Sequence, residues 1–322
     1  MGKLSFWISL VILAFSLPVS GQDIKIAIAH FENKKYEDAR KILEMVKKDN
    51  HHYAESRYYL GLIMSKKEDF PKSEEYLKQA ISTKENVAKY HLAIGNVYLQ
   101  LARNAHAIRQ AGYASKIRSH LETAVKLEPH NMNSSILLVG LYMRAPKILG
   151  GDPAKAKELA GNMQRINRAE GHRAYGMISQ AEEKYPEAEN HYRQALGLAP
   201  DSLKHYQSLV SFFQSRKNYN EAFKIQEKAI EKFPKNSSLL LQAGRLASQP
   251  GTLHSDKGSK YLGQYIETKR EQKDRNMANA YYYLGLIEKN KMNVPQAKAH
   301  FNKALAIQPA HSQAEKSLKE LN

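Results

Sequence analysis

Apolar positions recur along most of the chain at intervals of three and four residues. In 277–309, Tyr281, Leu284 and Gly285 fall on one helical face, and Ala297, Phe301 and Ala304 fall on another. Asn293-Val294-Pro295 lies between the two faces, and Pro309 follows them. This spacing predicts two amphipathic helices joined by a tight turn. The same unit recurs upstream: Leu60-Gly61, then Phe70-Pro71, then Ser73, Leu77 and Ala80, with the next unit opening at Ile94-Gly95 and Tyr98. Gly61 and Gly95 are 34 residues apart, as are Ala188 and Ala222, Ala195 and Ala229, and Pro200 and Pro234. Pro71, Pro186 and Pro295 all fall just inside a second helix, where the missing N–H has no partner to lose. A small residue at Gly61 and Gly95 suits a close helix crossing, which outweighs the cost of about 1 kcal/mol that Gly carries against Ala in a helix.

Departures from the period carry their own expectations. Gln22–Asn50 is a degenerate first unit, with Ile24, Ala27, Ile28 and Phe31 on one face and Tyr36 opening a second helix. The third unit is long: Gly95 to Ala124 is 29 residues, where Gly176 to Ala195 is 19. The extra ten lie within Ala102–Lys116 and predict an extended first helix, a turn near Gly112 and an extended second helix. Ala145-Pro146 ends a further helix, since proline disfavours helix in the residue before it. Gly150-Gly151-Asp152-Pro153 lacks the Lys-Ser/Thr of a phosphate loop. It predicts a turn, with Asp152 as cap and Pro153 at the first helical position. Gln249-Pro250-Gly251 is another turn signal, and the mixed charges of Lys269–Arg275 predict a solvated linker. In 310–322, Ala314, Leu318 and Leu321 form the stripe expected of a terminal capping helix.

Tyr-x-x-Leu-Gly, then Ala-x-x-x-Phe-x-x-Ala, then Pro, at a period of 34, resembles the tetratricopeptide repeat (TPR). The resemblance covers 22–322 and implies an all-α solenoid of about eight helix-turn-helix units in a right-handed superhelix, irregular near 88–168. The long third unit and the Ala-Pro…Gly-Gly-Asp-Pro element resemble those of bacterial cell-envelope TPR proteins. In the superfamily, first helices line a concave groove that binds peptides or extended protein segments. The register then places Tyr58, Lys89, Asn96, Arg144, Arg173, Gln180, Lys204, Gln207, Arg245, Tyr282 and Lys289 in that groove. Such a basic, amide and aromatic lining suits an acidic or amide-rich protein partner, since Arg and Lys neutralise carboxylates and amides satisfy peptide groups. Of the Lys and Asn that clamp a C-terminal carboxylate in the chaperone-binding subgroup, only Asn96 has a counterpart, so that function is not expected.

Residues 1–21 change the setting. Lys3 precedes the apolar run Leu4–Leu17, and Pro18-Val19-Ser20-Gly21 offers a cleavage point after Gly21, which predicts a secretory signal peptide. The run is shorter than the roughly 20 residues that span a bilayer, with an uncleaved signal anchor as the alternative. The expected location is periplasmic or secreted, with no transmembrane span after cleavage. Net charge is +17, from 49 Lys and Arg against 32 Asp and Glu. That balance favours acidic partners. The insert adds Arg103, Arg109, Lys116 and Arg118 without a carboxylate, either as a contact for an anionic envelope polymer or lipid, or as a tolerated insertion with a solvated face. Nucleic acid shares the electrostatics but is not expected of an exported chain.

Candidate chemistry is sparse. There is no Cys, hence no disulfide, thiol nucleophile or Cys-based zinc site. The 13 His show no metal-ligand spacing, and those in turns, such as His51-His52, are expected to be ordinary surface residues. No nucleophile elbow occurs, and carboxylates such as Glu74 and Glu75 stand at helix-supporting distance from Lys78. In Tyr281-Tyr282-Tyr283, Tyr281 is expected inside and only Tyr282 on the groove. No catalytic residues, metal or cofactor are expected, and the chain is read as a non-enzymatic scaffold.

Overall fold

A computed structural model describes residues 20–103, 105–271 and 274–321. The expected leader at 1–21 lies outside the described residues except for Ser20 and Gly21. Ser20 caps the first helix, α1 (Gly21–Glu32): its hydroxyl accepts from the Asp23 N–H at 3.3 Å, and the Asp23 carboxylate accepts from the Ser20 N–H at 2.8 Å. This reciprocal box satisfies two N–H groups that the helix leaves open. The expected cleavage point therefore lies just inside α1.

Every described element is helical. After α1 come α2 (Tyr36–Glu44), α3 (Tyr53–Lys66), α4 (Phe70–Thr83), α5 (Ala88–Arg103), α6 (Ala107–Leu127), α7 (Met132–Arg144) and a short 3-10 turn, Lys147–Leu149. Then follow α8 (Pro153–Ile166), α9 (Arg168–Ala181), α10 (Tyr185–Leu198), α11 (Leu203–Ser215), α12 (Tyr219–Lys232), α13 (Ser238–Ala247), α14 (Ser255–Thr268), α15 (Arg275–Asn290), α16 (Val294–Ile307) and α17 (Ser312–Lys319).

The chain divides into two compact units, 1–152 and 153–322. In the first, α1–α2, α3–α4 and α5–α6 are hairpins, and α7 packs on α6. In the second, α8 packs on α9, the pairs α9–α10, α11–α12, α13–α14 and α15–α16 are hairpins, and α17 closes the stack on α16. Successive first helices also touch, α1 to α3 and α3 to α5 in one unit, α9 to α11 and α13 to α15 in the other. Among the described residues no contact of that size joins successive second helices, so the first helices line the inner side of each stack.

The core runs from hairpin to hairpin, as stacked repeats require. In the second unit Tyr192, Leu209, Phe212, Phe223, Leu246, Leu262 and Ile287 belong to one buried cluster. Glycines sit where hairpins cross: a Cβ on Gly61 would stand 2.6 Å from Leu77, on Gly244 2.2 Å from Leu262, and on Gly285 2.4 Å from Phe301. Five hairpins turn through three residues whose middle one is left-handed: Lys34, Glu68, Glu183, Lys217 and Met292.

The long hairpin differs from expectation in where it turns. Gly112 lies inside α6, exposed; α5 ends at Arg103 and α6 begins at Ala107, well before it. Both helices are extended: α5 ends eight residues past Gly95 where α3 ends five past Gly61, and α6 starts 17 before Ala124 where α10 starts ten before Ala195. The insertion thus adds three residues to one helix and seven to the other. The buried spacing of Ile117, Leu121 and Ala124 keeps α6 in register, and one exposed glycine is too small a cost to break it. Gly150 turns with φ 91°, and a Cβ on Gly151 would meet the Ala145 carbonyl oxygen at 1.8 Å, so that turn is structural as expected.

Candidate binding faces of the first helices

In the first unit the inner side gathers tyrosines around one lysine. The Lys89 ammonium stands 5.0 Å from the Tyr58 ring centre, 5.9 Å from Tyr59 and 5.8 Å from Tyr90. It also lies 3.4 Å from the Glu55 carboxylate, one 34-residue period upstream. Burial first, with the neighbouring tyrosine and Glu55 adding to it, pushes the Tyr58 hydroxyl up to about 12. Burial and Glu55 take Tyr90 to about 12 as well. Both remain hydrogen-bond donors. Asn96 on α5 and Arg144 at the end of α7 are exposed.

In the second unit the same ladder positions carry Glu170 and Lys204, again 34 apart and ion-paired. Glu170 is 1% exposed, with Arg173 at 3.3 Å and the His205 Nε2 at 3.7 Å. Neither Glu170 oxygen has hydrogen-bond geometry, so the attraction is Coulombic. Arg173 is itself buried, clamped by this carboxylate. Burial lowers His205 to about 4 against the pull of Glu170, which keeps the imidazole neutral at pH 7. Gln180 bridges two elements, donating to the Ser215 hydroxyl at 3.1 Å and accepting from the Tyr192 hydroxyl at 3.0 Å. Gln207 on α11 and Arg245 on α13 are exposed.

Other positions do structural duty. Lys289 pairs with Glu320 at 2.6 Å, and Tyr282 packs on Phe301 and His311, so both help to hold α17. Tyr281, Tyr282 and Tyr283 are all half-buried; Tyr281 packs against the Phe301 cluster, facing His300 and the Lys303 ammonium. In the insert, Arg103 and Arg109 are exposed. The Lys116 ammonium stands 5.0 Å from the Tyr98 ring centre. The Arg118 guanidinium rests on Gly150, where a Cβ would come within 2.0 Å of it.

Several histidines that the sequence did not single out are buried or paired. His91, His205 and His311 are buried. His91 and His120 face each other across α5–α6 with Nδ1 atoms 2.9 Å apart, and His172 and His191 do so across α9–α10 at 3.1 Å. They were missed because no local motif joins residues 29 and 19 apart. The signal was register: each first-helix His lies four residues before Gly95 or Gly176, and each second-helix His four before Ala124 or Ala195. Among the described residues, no three His, Asp or Glu side chains gather as a ready metal site, and no helix is long and apolar enough to cross a membrane.

No family model and no curated protein matches the sequence. Solved structures do match. A tetratricopeptide repeat protein from Parabacteroides merdae is 12% identical, with 93% of this chain and 97% of that chain covered and a TM-score of 0.50. IFIT1, solved with m7Gppp-AAAA, is 14% identical over 92% of this chain and 71% of that chain, at a TM-score of 0.53. TTC0263, a thermophilic TPR protein from Thermus thermophilus, is 19% identical over 60% of this chain and 98% of that one, at 0.47. The first two of these likenesses speak to fold alone, and they agree with the hairpin stacking, the 34-residue period and the glycine crossings: by its fold this chain is a tetratricopeptide-repeat α-solenoid.

Proposed function

We propose that this is an exported, non-catalytic scaffold that holds an extended, acidic or amide-rich protein segment along its first helices. The observation that carries the reading is the row of long polar side chains on successive inner helices of the second unit: Lys204 and Gln207 on α11, Arg245 on α13. Their chemistry meets carboxylates and peptide groups. Export rests on the leader pattern at 1–21 alone. A crosslinking pull-down from the native cell envelope tests the reading. Gln207→Glu with Arg245→Glu, both at exposed positions, is expected to lose a partner that the unaltered chain captures. Equal capture by both chains overturns it.

A second reading, binding of an anionic envelope polymer or lipid, is favoured by one feature. Residues 86–121 contain no Asp or Glu, and the exposed Arg103 and Arg109 flank Ile108, which is 90% exposed. Binding to anionic vesicles or lipopolysaccharide that weakens with salt and is lost in Arg103→Glu with Arg109→Glu supports it. Salt-independent binding, or none, removes it.

A further inference from the structure

The tip of the long hairpin carries a side chain that its charges alone do not explain. Ile108 stands in the first turn of α6 and is 90% exposed. Ile148, Met292 and Leu253 are comparably exposed, but their settings differ. Ile148 lies four residues before Asp152. Met292 follows Lys291, which is paired with Asp256 at 2.7 Å. Leu253 has no Lys or Arg within three residues of it. Ile108, of these four, stands between two exposed arginines, Arg103 and Arg109, in a stretch (86–121) without Asp or Glu. The next carboxylates, Glu122 and Glu128, lie in the far half of α6. Glu122 accepts from the Tyr142 hydroxyl at 2.7 Å, and Glu128 from the Asn131 amide at 3.2 Å. The tip stands roughly 10 Å beyond the neighbouring turns. That is about one Debye length at physiological salt, so Glu68 and Asp69 on the α3–α4 turn are largely screened from it.

We propose that this tip docks on an anionic lipid bilayer, with Arg103 and Arg109 on lipid phosphates and Ile108 in the boundary between headgroups and acyl chains. The proposal rests on the second reading above and chooses lipid over polymer. A soluble polyanion would use the arginines and gain nothing from Ile108, whereas a bilayer uses both. Guanidinium forks match phosphate oxygens, and an anionic surface draws basic side chains within about a Debye length. Apolar side chains at such a surface settle about 5–10 Å deep, at the base of the headgroups. The arginines can follow Ile108 to that depth, because their apolar stems lie along it while the charged heads stay at the phosphates. Neither part suffices alone, since lasting membrane attachment takes a hydrophobic and an electrostatic signal together. The contact is therefore reversible and salt-dependent.

The chain has no Cys, so the full chain can carry one nitroxide label at a time, at Ile108→Cys or at Leu253→Cys, the comparably exposed control. On vesicles of phosphatidylglycerol and phosphatidylcholine at low salt, the label at 108 should gain contact with oxygen. It should also lose contact with a water-soluble nickel chelate several-fold, while the label at 253 does not change. Adding salt, or combining the label with Arg103→Glu and Arg109→Glu, should return position 108 to its aqueous values. A label at 108 that stays in water, on vesicles that hold the chain through the arginines, overturns the insertion and leaves the second reading standing. Immersion that survives the arginine changes, or no arginine-dependent binding at all, overturns both. Ile108→Ser should weaken vesicle binding about tenfold and leave binding to soluble dextran sulfate unchanged. The same loss on both, or on neither, refutes the choice of lipid.

Discussion

Gly285 shows how much one missing β-carbon is worth in this molecule. Its helix crosses α16 so closely that an added Cβ would overlap the Phe301 ring, which is fully buried and has nowhere to go. Gly285→Ala should cost about 1–3 kcal/mol from overpacking, more than the helix propensity it gains. At Gly95 the nearest atom to an added Cβ is 3.3 Å away at the flexible end of Leu121, so Gly95→Ala should be close to neutral. Urea unfolding of the two variants separates them; equal destabilisation would contradict the crossing argument. Glu170 is the other residue on which much hangs. Its carboxylate faces Arg173, Lys204 and His205, and its removal strands a buried guanidinium. Glu170→Ala should cost about 3–5 kcal/mol, the usual penalty for breaking a buried pair. A loss under about 1 kcal/mol would mean that the pair behaves as a surface one.

At the scale of elements, the long hairpin offers the sharpest test. Gly112 stands mid-helix with nothing within 4 Å of an added Cβ. Gly112→Ala should therefore stabilise the chain by up to about 1 kcal/mol; destabilisation would restore the turn that composition alone suggests there. The two-helix unit was legible in the sequence because its markers are local. Gly61 and Leu77, or Pro295 with Phe301 and Ala304, declare a crossing and a helix start within twenty residues. The turn of the long hairpin was not legible, because Gly112 is the only conventional breaker in the insert, whereas the buried spacing of Ile117, Leu121 and Ala124 decides the matter. The burial of Arg173 escaped for a different reason: a groove register treats it as a groove position, while Glu170 three residues earlier draws it inward. The opposite charges one period apart, Glu55 with Lys89 and Glu170 with Lys204, were readable in principle.

Across the whole molecule, acid acts on both units through histidines. His120 in the first unit and His205 in the second are held near 4, chiefly by burial. An unfolded chain takes up these protons near pH 6.5, while the folded chain waits until about 4. Between those values the unfolded state binds more protons, so stability falls as pH drops from about 6.5 to 4 and levels off below. A thermal midpoint several degrees lower at pH 4.5 than at pH 7 is expected; a flat profile above pH 5 would contradict it.

The insertion of three and seven residues also has a consequence for how the chain is cut. Arg103 ends α5 exposed, and Arg109 opens α6 exposed, on a tip that stands about two helical turns, roughly 10 Å, beyond where the other second helices begin. Trypsin should nick there first, yet Gly95 and Leu121 meet well inside the hairpin. The two fragments should therefore stay together on a sizing column and separate only in denaturant. The chain would then behave as a split protein, with its break at a natural place for an inserted tag or a reporter.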